Sequence, residues 1–177
     1  SWSEPYRLPG EINTPFEEES PFLHPDGKSL YFSSNGHPGM GHLDLFVSQL
    51  DENGVWGEPV NLGYPLNTHD DENSLIVEPA GDFALFASDR GNINGDLDLW
   101  RVRLKDEVKP EAVGVLGGVV VDNATGELIE ASVVLLDAES GSLIARVESG
   151  SDKGFFIPLP AEGRYSFEVD KAGYMFK

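Results

Sequence analysis

One loop of this chain carries residue types that could bind a metal ion. Residues 92–98 read Asn-Ile-Asn-Gly-Asp-Leu-Asp, so side-chain oxygens stand at alternate positions around a glycine. Oxygens in this pattern are the ligands that Ca²⁺ prefers. The glutamate that completes a helix–loop–helix calcium site is absent, and the matching loop at 38–44 lacks the ligands. Calcium binding stays open, and a plain solvated loop is the favoured alternative.

Histidines and two aspartates are the other candidate ligands. Four histidines are scattered over loops and turns: His24, His37, His42 and His69. No pair has metal-ligand spacing on one strand, so we predict surface side chains, although His37 and His42 share a loop and could meet. Asp44 and Asp98 begin equivalent strands, and we predict that each accepts hydrogen bonds from the preceding loop rather than binding a cation.

The sequence offers no pattern for nucleophilic or carboxylate catalysis. It has no cysteine and no Gly-x-Ser-x-Gly turn, and its many carboxylates occupy loop-like positions without fixed spacing. We therefore predict no catalytic residue, no metal site and no cofactor. The missing cysteines are compatible with either redox compartment.

Charge and hydropathy narrow the possible partners. The chain has 177 residues, with 12 basic against 31 acidic side chains and a net charge of −19. This field repels nucleic acid and anionic lipid, and no apolar run approaches the roughly 20 residues of a membrane helix. We predict that the acidic runs at 17–19 and 70–72 are solvated loops, with cation binding as the alternative.

The elements that hold these residues repeat at an offset of 54. Comparing residues 1–50 with 55–104 gives 17 identities without any insertion, including Trp2 and Trp56 within two Trp-x-Glu-Pro segments. The two tryptophans are predicted to be packing anchors rather than ligand platforms, and Trp100 takes the place of Phe46 at an equivalent position. A repeat of this length built from short strands predicts propeller blades.

Each repeat contains the signals of a four-stranded antiparallel blade. The predicted strands cover 20–25, 29–34, 43–50 and 55–62 in one repeat, and 74–79, 83–88 and 97–104 in the other. The opening segment, 1–8, matches the fourth, outer strand. We therefore predict an all-β chain with a partial β-propeller over 1–107: an outer strand at 1–8, a full blade at about 20–62 and a partial blade at about 74–104. Because propellers need about four to eight blades, we expect a piece of a larger one.

A second all-β domain is predicted after a charged linker at 108–113. Short apolar runs separated by turn residues continue from 114 to 177 and predict a transthyretin-like β-sandwich, which we expect to be truncated.

Specific motifs add a family resemblance. Residues 19–36 and Asp44-Leu45-Phe46 resemble the TolB-like, WD-related propeller repeat; the second copy keeps Ser88-Asp89-Arg90 but departs at Ala80 and Asp82. Residues 118–131, with Gly154-Phe155-Phe156 and Gly173-Tyr174, resemble a carboxypeptidase-regulatory-like domain. This order of modules is similar to the middle of PorE-like OmpA-family outer-membrane lipoproteins of Bacteroidota.

The resemblance implies a non-enzymatic scaffold or adaptor. Proteins of that family lie in the periplasm at the outer membrane, are associated with type IX secretion and bind peptidoglycan through a domain outside these residues. We expect protein partners of an outer-membrane or secretion complex, and no direct membrane insertion. A carbohydrate- or peptide-binding propeller and an accessory region of a secreted hydrolase are the alternatives.

Overall fold

The protein is built from antiparallel β-sheets. The structure is a computed structural model that describes residues 2–8, 10–150 and 152–174. These residues contain no α-helix and only two 3-10 turns, Gly10–Ile12 and Asp106–Val108. No helix in the described ranges is long and apolar enough to cross a membrane. The chain folds as two compact units, Ser1–Ala112 and Val113–Lys177.

The first unit contains two sheets, one from each repeat. The first sheet has the order β1-β2-β3-β4 and consists of β1 (Glu18–Leu23), β2 (Ser29–Ser34), β3 (Asp44–Gln49) and β4 (Val60–Asn61). The second sheet has the order β5-β6-β7 and consists of β5 (Glu72–Val77), β6 (Phe83–Ser88) and β7 (Asp98–Arg103). All neighbouring strands are antiparallel, and β7 is an edge strand.

The structure corrects several predicted boundaries. Strands β1 and β5 begin at Glu18 and Glu72, two residues before the predicted starts at 20 and 74. Each glutamate pairs with the last serine of the next strand, which extends the ladder. The predicted fourth strand shrinks to Val60–Asn61 plus one bridge between Leu50 and Trp56. The predicted outer strand at 1–8 does not form: the described residues 2–8 have no neighbouring strand to supply ladder hydrogen bonds.

Each sheet has two distinct faces. The first sheet carries Tyr31, Leu45 and Val47 on what we call its forward face, and Leu30, Phe32 and Phe46 on its rear face. The offset of 54 and the observed register give the second sheet the same two faces. Its forward face carries Leu85, Leu99 and Arg101, and its rear face carries Ala84, Phe86 and Trp100.

The forward face of the first sheet shares a core with the rear face of the second. This cluster consists of Tyr31, Leu45, Val47, Leu62, Leu66, Leu75, Val77, Ala84, Phe86, Leu104 and Val108. A smaller cluster on the rear face of the first sheet contains Ile12, Leu30, Phe32 and Phe46, with Leu8 and Trp56 packed against it. Ile12 and Leu8 are the repeat equivalents of Leu66 and Leu62. The same pair of aliphatic side chains therefore lines the rear face of both sheets.

The end of the first unit runs along both sheets. Val108 is buried in the shared core, and Tyr31 donates a hydrogen bond of 2.7 Å to its carbonyl oxygen. Glu111 accepts from Lys28, and Lys109 contacts Asp82 at 2.9 Å. Much of the segment predicted as a linker, 108–113, is therefore held against the first unit.

The second unit also contains two antiparallel sheets. One has the order β10-β9-β12, with β9 (Ala131–Asp137), β10 (Leu143–Ser149) and β12 (Tyr165–Asp170); the other pairs β11 (Phe155–Pro160) with β8 (Val113–Gly118). Val133, Leu135 and Ile157 form a core to which both sheets contribute. The all-β prediction is confirmed for the described residues of both units.

Candidate functional site

The innermost strands β1 and β5 lie side by side. The hydroxyl oxygens of Ser20 and Ser74 are 3.4 Å apart, and His24 Nε2 lies 3.2 Å from the carbonyl oxygen of Glu78. Both pairs are separated by 54 residues, so equivalent positions of the two repeats touch. The two sheets therefore approach each other along β1 and β5. We call these two strands the innermost strands of their sheets.

Both serines sit in β-bulges with left-handed backbone. Ser20 has φ of 52° and Ser74 has φ of 55°, where the register of each innermost strand shifts. A non-glycine residue in this region is uncommon, and such strain costs about 1–3 kcal/mol where it occurs. A bulge re-aims the side chain that it carries. Here it places two hydroxyl groups next to each other.

A buried ion pair anchors the start of the second sheet. Glu72 is 0% exposed, and its carboxylate accepts hydrogen bonds from the Thr68 amide and hydroxyl, the Ser88 hydroxyl and Arg90. Arg90 also donates to the carbonyl oxygens of Pro65 and Leu66. A buried carboxylate with this many donors is fully satisfied and has no free oxygen for a ligand.

The first sheet repeats this arrangement without the cation. Glu18 accepts from the Thr14 amide at 3.0 Å, the Thr14 hydroxyl at 2.5 Å and the Ser34 hydroxyl at 3.1 Å. Gly36 occupies the position of Arg90, and a Cβ there would collide with the Thr14 side chain. The prediction that both acidic runs are solvated loops is wrong for Glu18 and Glu72, because both are strand residues with local donors.

Asp44 has the predicted structural role and Asp98 does not. The Asp44 side chain is buried, and its Oδ2 accepts from the amides of Met40 and Gly41 at 2.7 and 3.2 Å. Its Oδ1 has no hydrogen-bond partner among the described residues. Asp98 is exposed, and the prediction that it accepts hydrogen bonds from the preceding loop is wrong. The loop before it is exposed to solvent beside the edge strand β7.

The candidate calcium loop is largely exposed, with residues 93–98 all open to solvent. Asn92 Oδ1 accepts from the Asn94 amide at 3.1 Å, which makes a local turn. Among residues 2–8, 10–150 and 152–174, no three His, Cys, Asp or Glu side chains come together as a metal site would require. The exposure of residues 93–98 is what a solvated loop would show.

The histidines occupy three kinds of environment. His42 and His69 are exposed beside Asp71 and Asp70. His37 is half-buried on the Phe46 ring, with a centroid distance of 5.1 Å. His24 is only 1% exposed, so the surface prediction is wrong for it. Its Nδ1 accepts the Asp26 amide, which leaves Nε2 as the donor to Glu78.

The tryptophans do not share one role. Trp56 packs against the small rear cluster, as a packing anchor should. Trp100 is 40% exposed and lies 5.3 Å from the guanidinium of Arg90. Trp2 is fully exposed, and packing is not observed there because residues 2–8 have no strand beside them.

Asp26 holds a turn of the first sheet and the end of the unit together. Its carboxylate accepts from the amides of Lys28, Ser29 and Glu111 and from the Ser29 hydroxyl, at 2.8 to 3.0 Å. Burial opposes ionisation, but these donors outweigh it and hold the pKa of Asp26 below its usual value. Ala80 stands at the equivalent position of the second sheet.

A comparable contact occurs in the second unit. Tyr174 donates a hydrogen bond of 2.5 Å to Asp122, which lowers the pKa of Asp122 and raises that of Tyr174. The same carboxylate accepts from the amides of Ala124 and Thr125 and thereby closes a turn. Tyr174 is exposed and Asp122 is partly exposed, and their hydrogen bond holds the chain end near this turn.

The polar groups that recur are used in holding the sheets together. Sequence reasoning missed Arg90 and Asn67, although the Ser-Asp-Arg and Asn-Thr motifs marked both. Asn67 Oδ1 accepts from the Leu45 amide at 2.8 Å, and its Nδ2 donates to the Leu45 carbonyl at 2.9 Å. Exposed apolar side chains remain on β1 and on the forward face of the second sheet, among them Leu23, Leu85 and Leu99.

A comparison of the chain with protein-family models, curated proteins and solved structures gave no match.

Proposed function

We propose that this chain is part of a non-enzymatic scaffold or adaptor, in which a partial β-propeller precedes a transthyretin-like β-sandwich. One observation carries the proposal: equivalent residues of the two repeats touch at Ser20 and Ser74 while the forward face of one sheet packs on the rear face of the next. Sheets related in this way radiate from a common line, as propeller blades do.

The chemistry of the recurring residues supports a binding role over an enzymatic one. The carboxylates of Glu18, Glu72 and Asp26 receive hydrogen bonds from nearby amides and hydroxyls. Groups engaged in this way hold turns and strands and are not poised for proton transfer. What the unit offers to other molecules is contact surface.

A disulfide test addresses the propeller arrangement. Because the chain has no cysteine, the Ser20→Cys/Ser74→Cys variant can form only one intrachain disulfide, and its sulfur atoms would start from hydroxyl positions 3.4 Å apart. We expect rapid oxidation to an intrachain disulfide. The matched control, Ser20→Cys/Ile93→Cys, should stay reduced under the same conditions. Equal oxidation of both variants, or of neither, would contradict the arrangement of the repeats.

The motif resemblance suggests partners in the periplasm at the outer membrane, in association with type IX secretion and with peptidoglycan anchoring through other domains. The direct test immobilises the chain and titrates purified outer-membrane components of a type IX secretion complex. We expect saturable binding that excess free chain competes away. No binding by any component would count against the adaptor role.

A ligand-binding propeller is the second candidate, and the paired hydroxyls of Ser20 and Ser74 favour it. Two adjacent hydroxyls on the inner strands can donate to and accept from a sugar or an extended peptide. Thermal-shift screening with soluble oligosaccharides and peptides separates the candidates. Saturable stabilisation that is lost in Ser20→Ala/Ser74→Ala would favour this role over the adaptor.

A further inference from the structure

The forward face of the second sheet is uncovered. Leu99 is 85% exposed, and Ile76 and Leu85 are close to half exposed. Arg101 lies on the same face with its guanidinium 3.7 Å from the centre of the Phe83 ring. The equivalent residues of the first sheet, among them Tyr31 and Leu45, are buried by the second sheet.

The structure itself shows how such a face is covered. On the first sheet, the outer edge of β3 pairs with the chain that leads into the second sheet. Leu62 donates to the Leu45 carbonyl, Asn67 contacts both backbone groups of Leu45, and Glu72 donates to the carbonyl of Leu43. The segment from β4 to the first residue of β5 therefore lies along the edge of the first sheet, and its Leu62 and Leu66 enter the core that the second sheet completes over the forward face.

The second sheet presents the same edge without this segment. Leu97 and Leu99 are the equivalents of Leu43 and Leu45, and within the described residues the structure shows no such partner for their backbone groups. The equivalents of Leu62, Asn67 and Glu72 are Leu8, Asn13 and Glu18, which precede the first sheet or begin it. In this structure the side-chain amide of Asn13 donates a hydrogen bond to the carbonyl oxygen of Leu8 in the same segment.

We propose that the segment 2–18 of a second copy of this chain lies along the edge of β7 and, together with the first sheet of that copy, covers the forward face of the second sheet. The sequence differences between the two sites are complementary. On the first sheet, Val47 lies opposite Val60. At the equivalent positions of the proposed contact, Arg101 lies opposite Tyr6, a pair that gains a cation–π interaction.

Charge and exposure agree with this occupant. Segment 2–18 carries four glutamates and one arginine, whereas the face that it covers contributes Arg101 and Arg103. The large side chains of Trp2, Tyr6 and Phe16 are exposed and would gain cover. Opposite charges on the two surfaces favour this register over like-charged alternatives.

The contact is head to tail, so it gives a ring where its rotation closes and an open chain of copies where it does not. The inference uses the same sheet packing as the propeller proposal and is independent of the adaptor role. Its test therefore measures self-association, while the adaptor role is tested by binding of other proteins.

Sedimentation velocity on the whole 177-residue chain, over a range of concentrations, is the first measurement. We expect self-association that increases with concentration, and roughly tenfold weaker association in Leu99→Asp, because a charge would then lie in the apolar centre of the contact. Ile93→Asp changes a fully exposed side chain outside the contact and should associate like the unaltered chain. A chain that stays monomeric at all concentrations overturns the proposal.

A cross-linking experiment fixes the register. On the first sheet, Phe46 lies opposite Asn61, so Trp100 of one copy should lie opposite Arg7 of the other. Arg7→Cys chains mixed with Trp100→Cys chains should form an intermolecular disulfide, whereas Arg7→Cys mixed with Ile93→Cys should not. Association that persists in Leu99→Asp without the Arg7–Trp100 disulfide would place the contact elsewhere and refute the proposal. Circular dichroism confirms that each variant keeps its sheet content.

Discussion

The two sheets of the first unit share a sequence pattern and differ in their surroundings. The first sheet is covered on its forward face and partly on its rear face, and five of the six residues of β3 are buried. In the second sheet no residue of the equivalent strand β7 is fully buried. The difference shows that the repeated sequence encodes the strands of a sheet and their pairing. Whether a strand is buried depends on which neighbour packs against the sheet.

The comparison also separates two ways of stabilising the same carboxylate. Glu18 depends on hydroxyl and amide donors alone, whereas Glu72 gains Arg90 and loses all contact with water. A buried charge needs a counter-charge more than a half-buried one does, because desolvation is larger. The half-buried Glu18 therefore needs no arginine, and the glycine at the equivalent position leaves room for the Thr14 side chain.

The largest expected effect comes from removing the buried carboxylate. Glu72→Ala leaves Arg90 without its partner inside the protein, and breaking such a pair costs about 3–5 kcal/mol of unfolding free energy. Glu18→Ala removes hydrogen bonds only and should cost about 1–3 kcal/mol. Urea denaturation of both variants measures the difference. Equal losses would mean that Arg90 adds nothing to the second sheet.

The next effect concerns Asp26 and is dependent on pH. Its folded-state pKa is lowered, so its stabilising contribution is present above the unfolded-state pKa and is lost as the pH falls through the folded-state pKa. Asp26→Asn should cost about 1.5–3 kcal/mol at pH 7. The gap to the unaltered protein should narrow as the pH is lowered from neutral to well below 3.8. Thermal melts across that range test it, and a gap that is constant with pH would refute it.

Asp44 and Asp98 provide a matched pair of smaller size. Asp44→Ala leaves the amides of Met40 and Gly41 without an acceptor and should cost about 1–2 kcal/mol. Asp98→Ala changes an exposed side chain and should stay within about 0.5 kcal/mol. Chemical denaturation of the two variants decides whether the repeated aspartate acts alike in both sheets. Similar values would overturn the distinction.

The smallest expected effect is at Lys109, which contacts the exposed carboxylates of Asp82 and Asp106. Lys109→Met should lower the free energy of unfolding only slightly, because ion pairs near the surface are weak. The loss should shrink further in about 1 M salt, where such pairs are screened. A loss that does not change with salt would point to packing of the side chain instead.

The sequence predicted the centre of each strand better than its ends. The run Ser29–Ser34 was predicted at the observed bounds because its apolar residues are buried on both faces. Residues 2–8 carry the same pattern as a real strand but lack a neighbour, and a strand cannot form without one. The local sequence therefore could not predict that the strand at 1–8 is absent.

The polar sites were predicted less well, for a physical reason. Glu72 and Arg90 lie 18 residues apart, and each alone resembles a surface side chain. Their burial depends on the sheet that packs over them, which no local pattern describes. The left-handed serines in β1 and β5 were equally hidden, because Ser favours no such backbone and only the bulge requires it.

The segment that ends the first unit attaches to both of its sheets. It reaches Tyr31 and Asp26 on the first sheet and Asp82 on the second, and it follows both sheets in the chain. During synthesis from the N-terminus it emerges after its attachment points, and all of them lie within reach only when the sheets have docked. The full set of attachments therefore forms only when the two repeats have assembled.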